Sequence, residues 1–487
     1  MAVSDVQPSS DTLSDIVDAG RRMGTRLAAM GIGPGDVVGI MLPNWREWLV
    51  ACVATQQAGA VMLPIVSIYG SAELGFILRQ SHTKLLITPD VWRNVDYTAL
   101  LKDCGSLENL LHHVTTGDGF AALEAPGPLE DPVIRSPDDL AMLVYTSGTT
   151  ADPKGVMHSS RTLLAELDAQ QQSRGEAADE VILTPWPPGH VAGALSLLRF
   201  LVQAVPVVAM DQWDARTAAK LIAEHRITSS SGTPFHLTGI VEAADQGGYD
   251  LSSLRNYLVG AAPVPTSLVE RCVAQGLAVY HCYGSSEHPT VTTGRADDPL
   301  AKQLNTEGRI MAGAEMRFVD DDGQDVPPNC EGEIVTRGVD LFIGYYDERL
   351  NDTAFLPGGW YRTGDIGRLD EDGYLLITDR KKDIIIRGGE NISSKEVENV
   401  LLTHPAIVDA AVVAEPDDRM GEVVRACVVL AAGASLTLDD IRSHFAAAGI
   451  ARQKTPERLL TLDALPRNAS GKVLKHLLRT ARQPSVI

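Results

Sequence analysis

From Asp15 onward the chain alternates stretches of helical apolar spacing with short apolar runs, and this alternation constrains its fold more than any other feature. Apolar residues recur at helical spacing over Asp15–Met30, GIGPGD follows, and VVGIML then reads as a buried strand closed by Pro43 and Asn44. The same pairing returns at AELGFILRQS with KLLITP, and at ARTAAKLIAEHR with ITSSSG. A parallel neighbour needs a crossover connection, so this rhythm predicts α/β architecture: parallel βαβ sheets covered by helices. No repeat of fixed period interrupts it.

The pattern changes after about Gly308. Short alternating strands (EMRFVDDDG, GEIVTRG, GYLLITDR) are separated by turns rich in Asp and Gly, which predicts a small antiparallel sheet or distorted β-barrel. From Lys382 a mixed α+β segment follows, with a helix over Ser394–Leu402, strands at AIVDAAVVAEP and VRACVVLA, and a helix over Leu438–Ala448. The chain has 487 residues, 44% of them hydrophobic, against the roughly 100–150 residues of a common domain, so several cores are expected. We divide it into a large N-terminal domain over 1–381 and a small C-terminal domain over 382–487.

Charge and cysteine content exclude several classes. A formal net charge of −21 opposes non-specific nucleic-acid binding and anionic lipid surfaces. It also requires that any phosphate chemistry be served by local cations, metal ions or backbone N–H groups. Cys52, Cys104, Cys272, Cys282, Cys330 and Cys427 form no CxxC pair and no zinc-type spacing, which points to buried thiols in a reducing, cytoplasmic setting. The start, MAVSDVQPSSDTLSD, has no apolar run of the signal-peptide kind. Trp48–Ala72 lacks charge and is long enough to span a bilayer, but Gln56, Gln57, Gly59, Pro64 and Gly70 favour a buried helix over Trp45–Gln57 and a strand over Val61–Ile65.

The chemistry starts at Tyr145–Gly155, YTSGTTADPKG, directly after the apolar strand AMLVY. A strand that ends in such a loop leaves backbone N–H groups free to face an anion. Thr146, Ser147, Thr149 and Thr150 add hydroxyls around Gly148, and Lys154 follows Pro153. The run does not fit the Walker pattern. By composition alone it is equally a polar turn.

The segment resembles the signature loop of the acyl-adenylate-forming superfamily, which includes acyl-CoA synthetases, luciferases and peptide-synthetase adenylation domains; Ala151 stands where that family usually has glycine. Other stretches agree in order. Tyr283–Glu287, YGSSE, is similar to the family's YGxTE: the resemblance implies that Tyr283 stacks on adenine, that Gly284, Ser285 and Ser286 line the nucleotide with Ser286 at the α-phosphate, and that Glu287 holds Mg²⁺. A carboxylate among small hydroxyl residues suits a hard cation that bridges phosphate oxygens. Gly260, Ala261 and Ala262 of GAAP match a stretch between the adenine and acyl pockets. In GWYRTGDIG, Asp365 matches the acid on the ribose hydroxyls, and a carboxylate accepts two O–H donors at once. In DRKKDIIIRGGE, Arg380 matches a ribose and phosphate contact, Lys382 the hinge of the small domain, and Gly388 and Gly389 the pantetheine channel. Lys472 in PRNASGK matches the lysine that catalyses adenylation. In TPWPPGHVAG, His190 matches a residue bordering the acyl pocket and the thiol channel, with Val191, Gly193, Ala261 and Gly284 lining that pocket. The resemblance runs from about Leu13 to Arg479, and family members usually carry about fifty further residues ahead of it.

The resemblance implies ATP-dependent activation of a carboxylic acid to an acyl-AMP, with Mg²⁺, followed by transfer to coenzyme A, with the small domain rotating between steps. No acid occurs between Glu180 and Asp211, where amino-acid-activating relatives place an Asp, and Val191, Ala192, Ala194, Leu195, Leu197 and Leu198 dominate instead. An apolar acid is expected: medium-chain fatty, alicyclic or aromatic. Two alternatives stay open at this level: an acyl-AMP ligase loading a phosphopantetheine carrier protein, and a weakly active nucleotide-binding relative. Neither nucleic acid nor a membrane span is expected as a partner.

Overall fold

Two seven-stranded sheets account for most of the first part of the chain, and each is mainly parallel. The computed structural model describes residues 9–146, 153–174, 179–260, 266–388, 390–467 and 473–481. Ser147, Gly148, Thr149, Thr150, Ala151, Ala261, Ala262, Gly389 and Lys472 therefore lie outside the described residues.

The first sheet runs in the order Gly344–Tyr345, Lys154–Ser159, Leu140–Thr146, Val61–Pro64, Val37–Ile40, Leu85–Thr88, His112–Thr115. Its five strands from Leu140–Thr146 to His112–Thr115 are parallel; the other two join antiparallel at one edge. The helix Leu13–Ala29 starts where Thr12 accepts from the Asp15 amide and donates its own backbone N–H to the Asp15 carboxylate, a capping box that satisfies two otherwise unpaired donors. Arg46–Gln57 is a helix and Val61–Pro64 a strand, both buried, as the sequence predicted for this uncharged stretch. Among the described residues no helix is long and apolar enough to cross a membrane.

The second sheet has the order Val207–Ala209, Ile182–Thr184, Ser229–Gly232, Asn256–Val259, Ala278–Tyr283, Thr292–Thr293, Arg309–Ile310. The first five strands are parallel and the last two antiparallel. Ser229–Gly232 is a strand of small polar residues. Its hydroxyls are satisfied locally, as where Ser230 donates to the Leu183 carbonyl. The helix Val191–Gln203 is fixed by Arg199, whose two terminal nitrogens reach both oxygens of Glu180 at 3.1 and 2.8 Å.

The later part of the chain builds two more sheets. Ala314–Val319, Gly332–Gly338, Trp360–Leu369 and Phe355–Leu356 form one, with Leu375–Arg380 paired to Trp360–Leu369; the expected small barrel takes the form of this five-stranded sheet. Glu390–Ile392, Ile385–Arg387, Gly421–Leu430, Ile407–Asp417 and Arg458–Thr461 form the other. The helices Ser394–Leu402 and Leu438–Ala447 contribute Val397, Leu401, Ile441 and Phe445 to its core. The chain divides into two compact units, one of Met1–Glu315 with Arg337–Phe355, the other of Met316–Thr336 with Leu356–Ile487.

Gly193 sits in the first turn of its helix against the preceding loop, and a Cβ there would lie 2.2 Å from the Pro187 carbonyl oxygen. That neighbour is backbone and cannot rotate away. Gly193→Ala is expected to destabilise the first unit by about 1–3 kcal/mol through overpacking, read as a lower urea midpoint at unchanged slope.

Candidate active site

In the second sheet, Thr184, Gly232, Val259 and Tyr283 end four adjacent parallel strands. The loops that leave these ends carry TPWPPGH, SGTPFH, GAAP and YGSSE. Ligands of open α/β sheets bind outside the carboxyl ends of the strands, so the chain's order of motifs becomes a single edge.

YGSSE leaves the strand Ala278–Tyr283 in a tight loop. The Ser285 amide donates to the His288 carbonyl at 2.9 Å, and the Ser285 hydroxyl accepts from the Glu287 and His288 amides, each at 3.2 Å. A Cβ on Gly284 would lie 1.9 Å from the Pro289 carbonyl oxygen, so only glycine fits this loop. Three outside groups hold the loop. His158 Nε2 donates to the Ser286 carbonyl at 2.8 Å, His288 Nε2 donates to Asp340 at 3.0 Å, and the Phe342 amide donates to the Glu287 carbonyl at 2.8 Å. The Tyr345 hydroxyl donates to Glu287 Oε1 at 2.7 Å. Tyr283 is buried at the end of its strand.

The segment expected to bind phosphate joins two antiparallel strands, with Thr146 opposite Lys154 and Tyr145 opposite Gly155. Both ends of the loop are thereby fixed in the first sheet. Lys154 Nζ stands 5.3 Å from the centroid of the Tyr345 ring. The structure thus brings Thr146, Lys154, Ser286 and Glu287 to one neighbourhood through Tyr345. Gly260 belongs to the same edge: its amide donates to the Gly232 carbonyl at 3.1 Å, and its α-carbon faces Cys282 Sγ.

His190 caps the helix Val191–Gln203. Its Nε2 is buried without a hydrogen-bond partner among the described residues, and burial pushes its pKa down to about 4. At neutral pH this imidazole is uncharged. The apolar run behind it divides: Ala194, Leu195 and Leu197 belong to the core, while Val191 and Leu198 are only partly buried. Sequence reasoning missed three rings that pack together. Trp186 Nε1 donates to the Ser231 hydroxyl at 3.0 Å, and its ring lies 5.7 Å from His236, itself 4.5 Å from Trp213. For Trp186 and His236 the signal was available in the aromatic and His content of TPWPPGH and SGTPFH, both directly after strands.

In the second unit, Asp365 and Arg380 are direct cross-strand partners joined by an ion pair of 2.7 Å. With Thr363, Gly364, Lys381 and Lys382 they line a cleft of about 340 Å³. Arg479, in the helix Lys475–Thr480, reaches the Asp383 carboxylate at 2.6 Å and the Lys382 carbonyl at 3.2 Å. Lys475 meets Glu398 at 2.8 Å and the Ser394 hydroxyl at 2.9 Å. Gly388 has φ of +57°, and a Cβ there would lie 2.6 Å from the Met420 methyl.

Among the described residues no group of three or more His, Cys, Asp or Glu could cage a metal. The donor set at Glu287, one carboxylate beside hydroxyls, fits Mg²⁺, which takes one or two carboxylates and completes its shell with substrate phosphates and water.

These features define an adenylate-forming α/β enzyme. The family model for the AMP-binding enzyme matches residues 5–346, and that for the AMP-binding enzyme C-terminal domain matches residues 396–472. The medium-chain fatty-acid–CoA ligase of Escherichia coli K12 is 35% identical over 98% of this chain and 87% of its own. The 3-[(3aS,4S,7aS)-7a-methyl-1,5-dioxo-octahydro-1H-inden-4-yl]propanoyl:CoA ligase of Rhodococcus jostii RHA1 is 34% identical over 97% and 94%. The o-succinylbenzoate-CoA synthetase of Bacillus subtilis, solved with its acyl-adenylate intermediate, superposes with a TM-score of 0.86 at 28% identity, covering 100% of this chain and 96% of that one. The same synthetase with ATP and magnesium ion gives 0.84 at 28% identity, over 98% and 96%. The chain belongs to the AMP-binding enzyme family and is an AMP-forming acid–thiol ligase.

The neutral His190 makes a pH prediction. The unfolded chain's histidine takes up a proton below about 6.5, whereas the folded one resists until about 4. Stability is therefore full above pH 6.5 and is lost as the pH falls from 6.5 to about 4, by on the order of 3 kcal/mol at most. His190→Asn is expected to flatten the decline of the denaturation midpoint across that window and to leave its slope above pH 7 unchanged.

Proposed function

We propose that the chain activates an apolar carboxylic acid, of medium-chain fatty, alicyclic or aromatic type, to an acyl-AMP, and then transfers the acyl group to coenzyme A with release of AMP. The observation that carries this reading is the convergence of Lys154 and Glu287 on Tyr345 beside the strand ends of the second sheet. A cationic group and a metal-binding carboxylate held together there suit a triphosphate.

Adenylation must bring two anions together. The substrate carboxylate attacks the α-phosphorus, the bond to the bridging oxygen breaks, and pyrophosphate leaves with the electron pair. Lys154 and the N–H groups of the phosphate loop meet the charge that grows on the leaving group. Glu287 would hold Mg²⁺, which supplies charge neutralisation on the phosphate oxygens. Asp365 would accept both ribose hydroxyls, with Arg380, its ion-pair partner, at the ribose and phosphate. Tyr283 would cover the adenine. Lys472 would bring the last positive charge to the attacking carboxylate.

A neutral His190 supports an apolar acid, since the side chain bordering the acyl pocket carries no charge to pair with one on the acyl group. In the second step the thiol of coenzyme A enters past His190, Gly388 and Gly389, after rotation of a small domain about Lys382. Cytoplasmic placement accords with the cysteines, all of them free thiols.

ATP–pyrophosphate exchange across a panel of acids tests the reading. Exchange is expected with apolar acids, and AMP release is expected to accelerate on addition of coenzyme A; binding of ATP with no exchange for any acid would sink the proposal. Lys472→Ala is expected to slow adenylation by roughly 10²-fold or more, by analogy with the loss of one charge-stabilising donor, and to spare thioester formation from supplied acyl-AMP. Lys382→Pro should do the reverse. Coenzyme A transfer that survives this change would place the pivot elsewhere.

A further inference from the structure

We propose that Tyr345 is a positioning residue for the first half-reaction, setting with one side chain both charged groups that face the triphosphate. The inference rests on the adenylation reading above and assigns a role to a segment, LFIGYYDERL, that carries none of the motifs from which that reading was built.

The two contacts come from different parts of the phenol. The hydroxyl donates to Glu287 Oε1 at 2.7 Å, a charge-assisted bond that directs the carboxylate and fixes its rotation. The ring face attracts the Lys154 ammonium, whose nitrogen is 5.3 Å from the centroid, within reach of a cation–π interaction. An ammonium on a four-carbon stem is otherwise free to sample many positions, and ordering it before the nucleotide arrives lowers the cost of binding.

Tyr345 is itself held on every side. It is 4% exposed and lies in the strand Gly344–Tyr345, opposite Val156 of the strand that begins with Lys154. Asn351 clamps its backbone from both directions: Oδ1 accepts the Tyr345 amide at 2.8 Å, and Nδ2 donates to the Tyr345 carbonyl at 3.1 Å. Phe342 packs edge-on against the ring at 5.0 Å and stacks on Phe355 at 5.3 Å. The amide of the same Phe342 donates to the Glu287 carbonyl. The 342–345 segment therefore grips Glu287 by both its main chain and its carboxylate, which a residue serving packing alone would not do.

Two variants separate the contacts. Tyr345→Phe keeps the ring and removes the hydroxyl; Tyr345→Leu removes both. Mn²⁺ binding, read by electron paramagnetic resonance with a non-hydrolysable ATP analogue present, reports the carboxylate without any turnover. Tyr345→Phe is expected to weaken that binding about tenfold, the effect of losing one hydrogen bond to a charged group, and to leave metal-free affinity for the analogue unchanged. Tyr345→Leu is expected to weaken the metal-free affinity as well. In a Glu287→Gln background, Tyr345→Phe should have no further effect on Mn²⁺ binding, because the partner is already gone. Equal Mn²⁺ affinity in wild type and Tyr345→Phe, with matching melting temperatures, overturns the inference and leaves the adenylation reading intact. Wild-type protein that binds no Mn²⁺ with the nucleotide analogue overturns both. Should Tyr345→Leu not fold, Tyr345→Phe and the Glu287→Gln cycle still decide the question.

Discussion

Parallel strands cannot be joined by a tight turn. Each must be followed by a crossover that carries the chain back to the starting edge, so the carboxyl ends of all of them open on one side. In the second sheet this constraint alone gathers segments that are nearly a hundred positions apart in the sequence. Thr184, Gly232, Val259 and Tyr283 end neighbouring strands, and the loops beyond them have no choice but to share an edge. The antiparallel hairpin of the first sheet serves a different purpose. It fixes the proposed phosphate loop at both ends, with Thr146 facing Lys154, where a strand-to-helix turn would fix it at one.

Electrostatics then has to be solved locally, because the molecule as a whole carries −21. The arrangement keeps opposite charges paired and leaves His190 neutral. Asp365 and Glu287 are both buried, the first answered by Arg380 and the second by a phenol. A phenol donor leaves a carboxylate its full negative charge, whereas an arginine partner would neutralise it. On the roles proposed above, that difference suits Glu287 to a metal ion and Asp365 to neutral hydroxyls. Desolvation does the complementary work at His190, where burial with an unpartnered Nε2 keeps the proton away.

Much of this was legible in the sequence, and the reasons are physical. The helix at Ser394–Leu402 was readable, and an uncharged run broken by Gln, Gly and Pro indicated the buried helix and strand, read as Trp45–Gln57 and Val61–Ile65 and found at Arg46–Gln57 and Val61–Pro64, since burial of both faces leaves no charge. Asp365 and Arg380 could be picked out individually, but their pairing across two strands depends on a register that no local pattern encodes. Ser229–Gly232 has little strand propensity of its own and was legible from its place after a helical stretch; Ser230 and Ser231 find partners at the Leu183 carbonyl and Trp186 Nε1. Tyr345 was invisible because its partners are remote in sequence. Its neighbours Glu287 and Lys154 lie 58 and 191 positions away, and only the edge pairing of a two-residue strand brings them to it.

The bonds from Arg479 to the Asp383 carboxylate and the Lys382 carbonyl join the last helix to the very segment proposed as the pivot. Lys475, at the start of that helix, is fastened in turn to Glu398 and Ser394. The chain immediately beyond Lys472 is thus moored at two points, one of them the Lys382–Asp383 segment. On the proposal that Lys382 is the pivot, a torsional change there would be passed straight to this mooring, and the segment that follows Lys472 would turn as a crank on its shaft, not as a weight on a string.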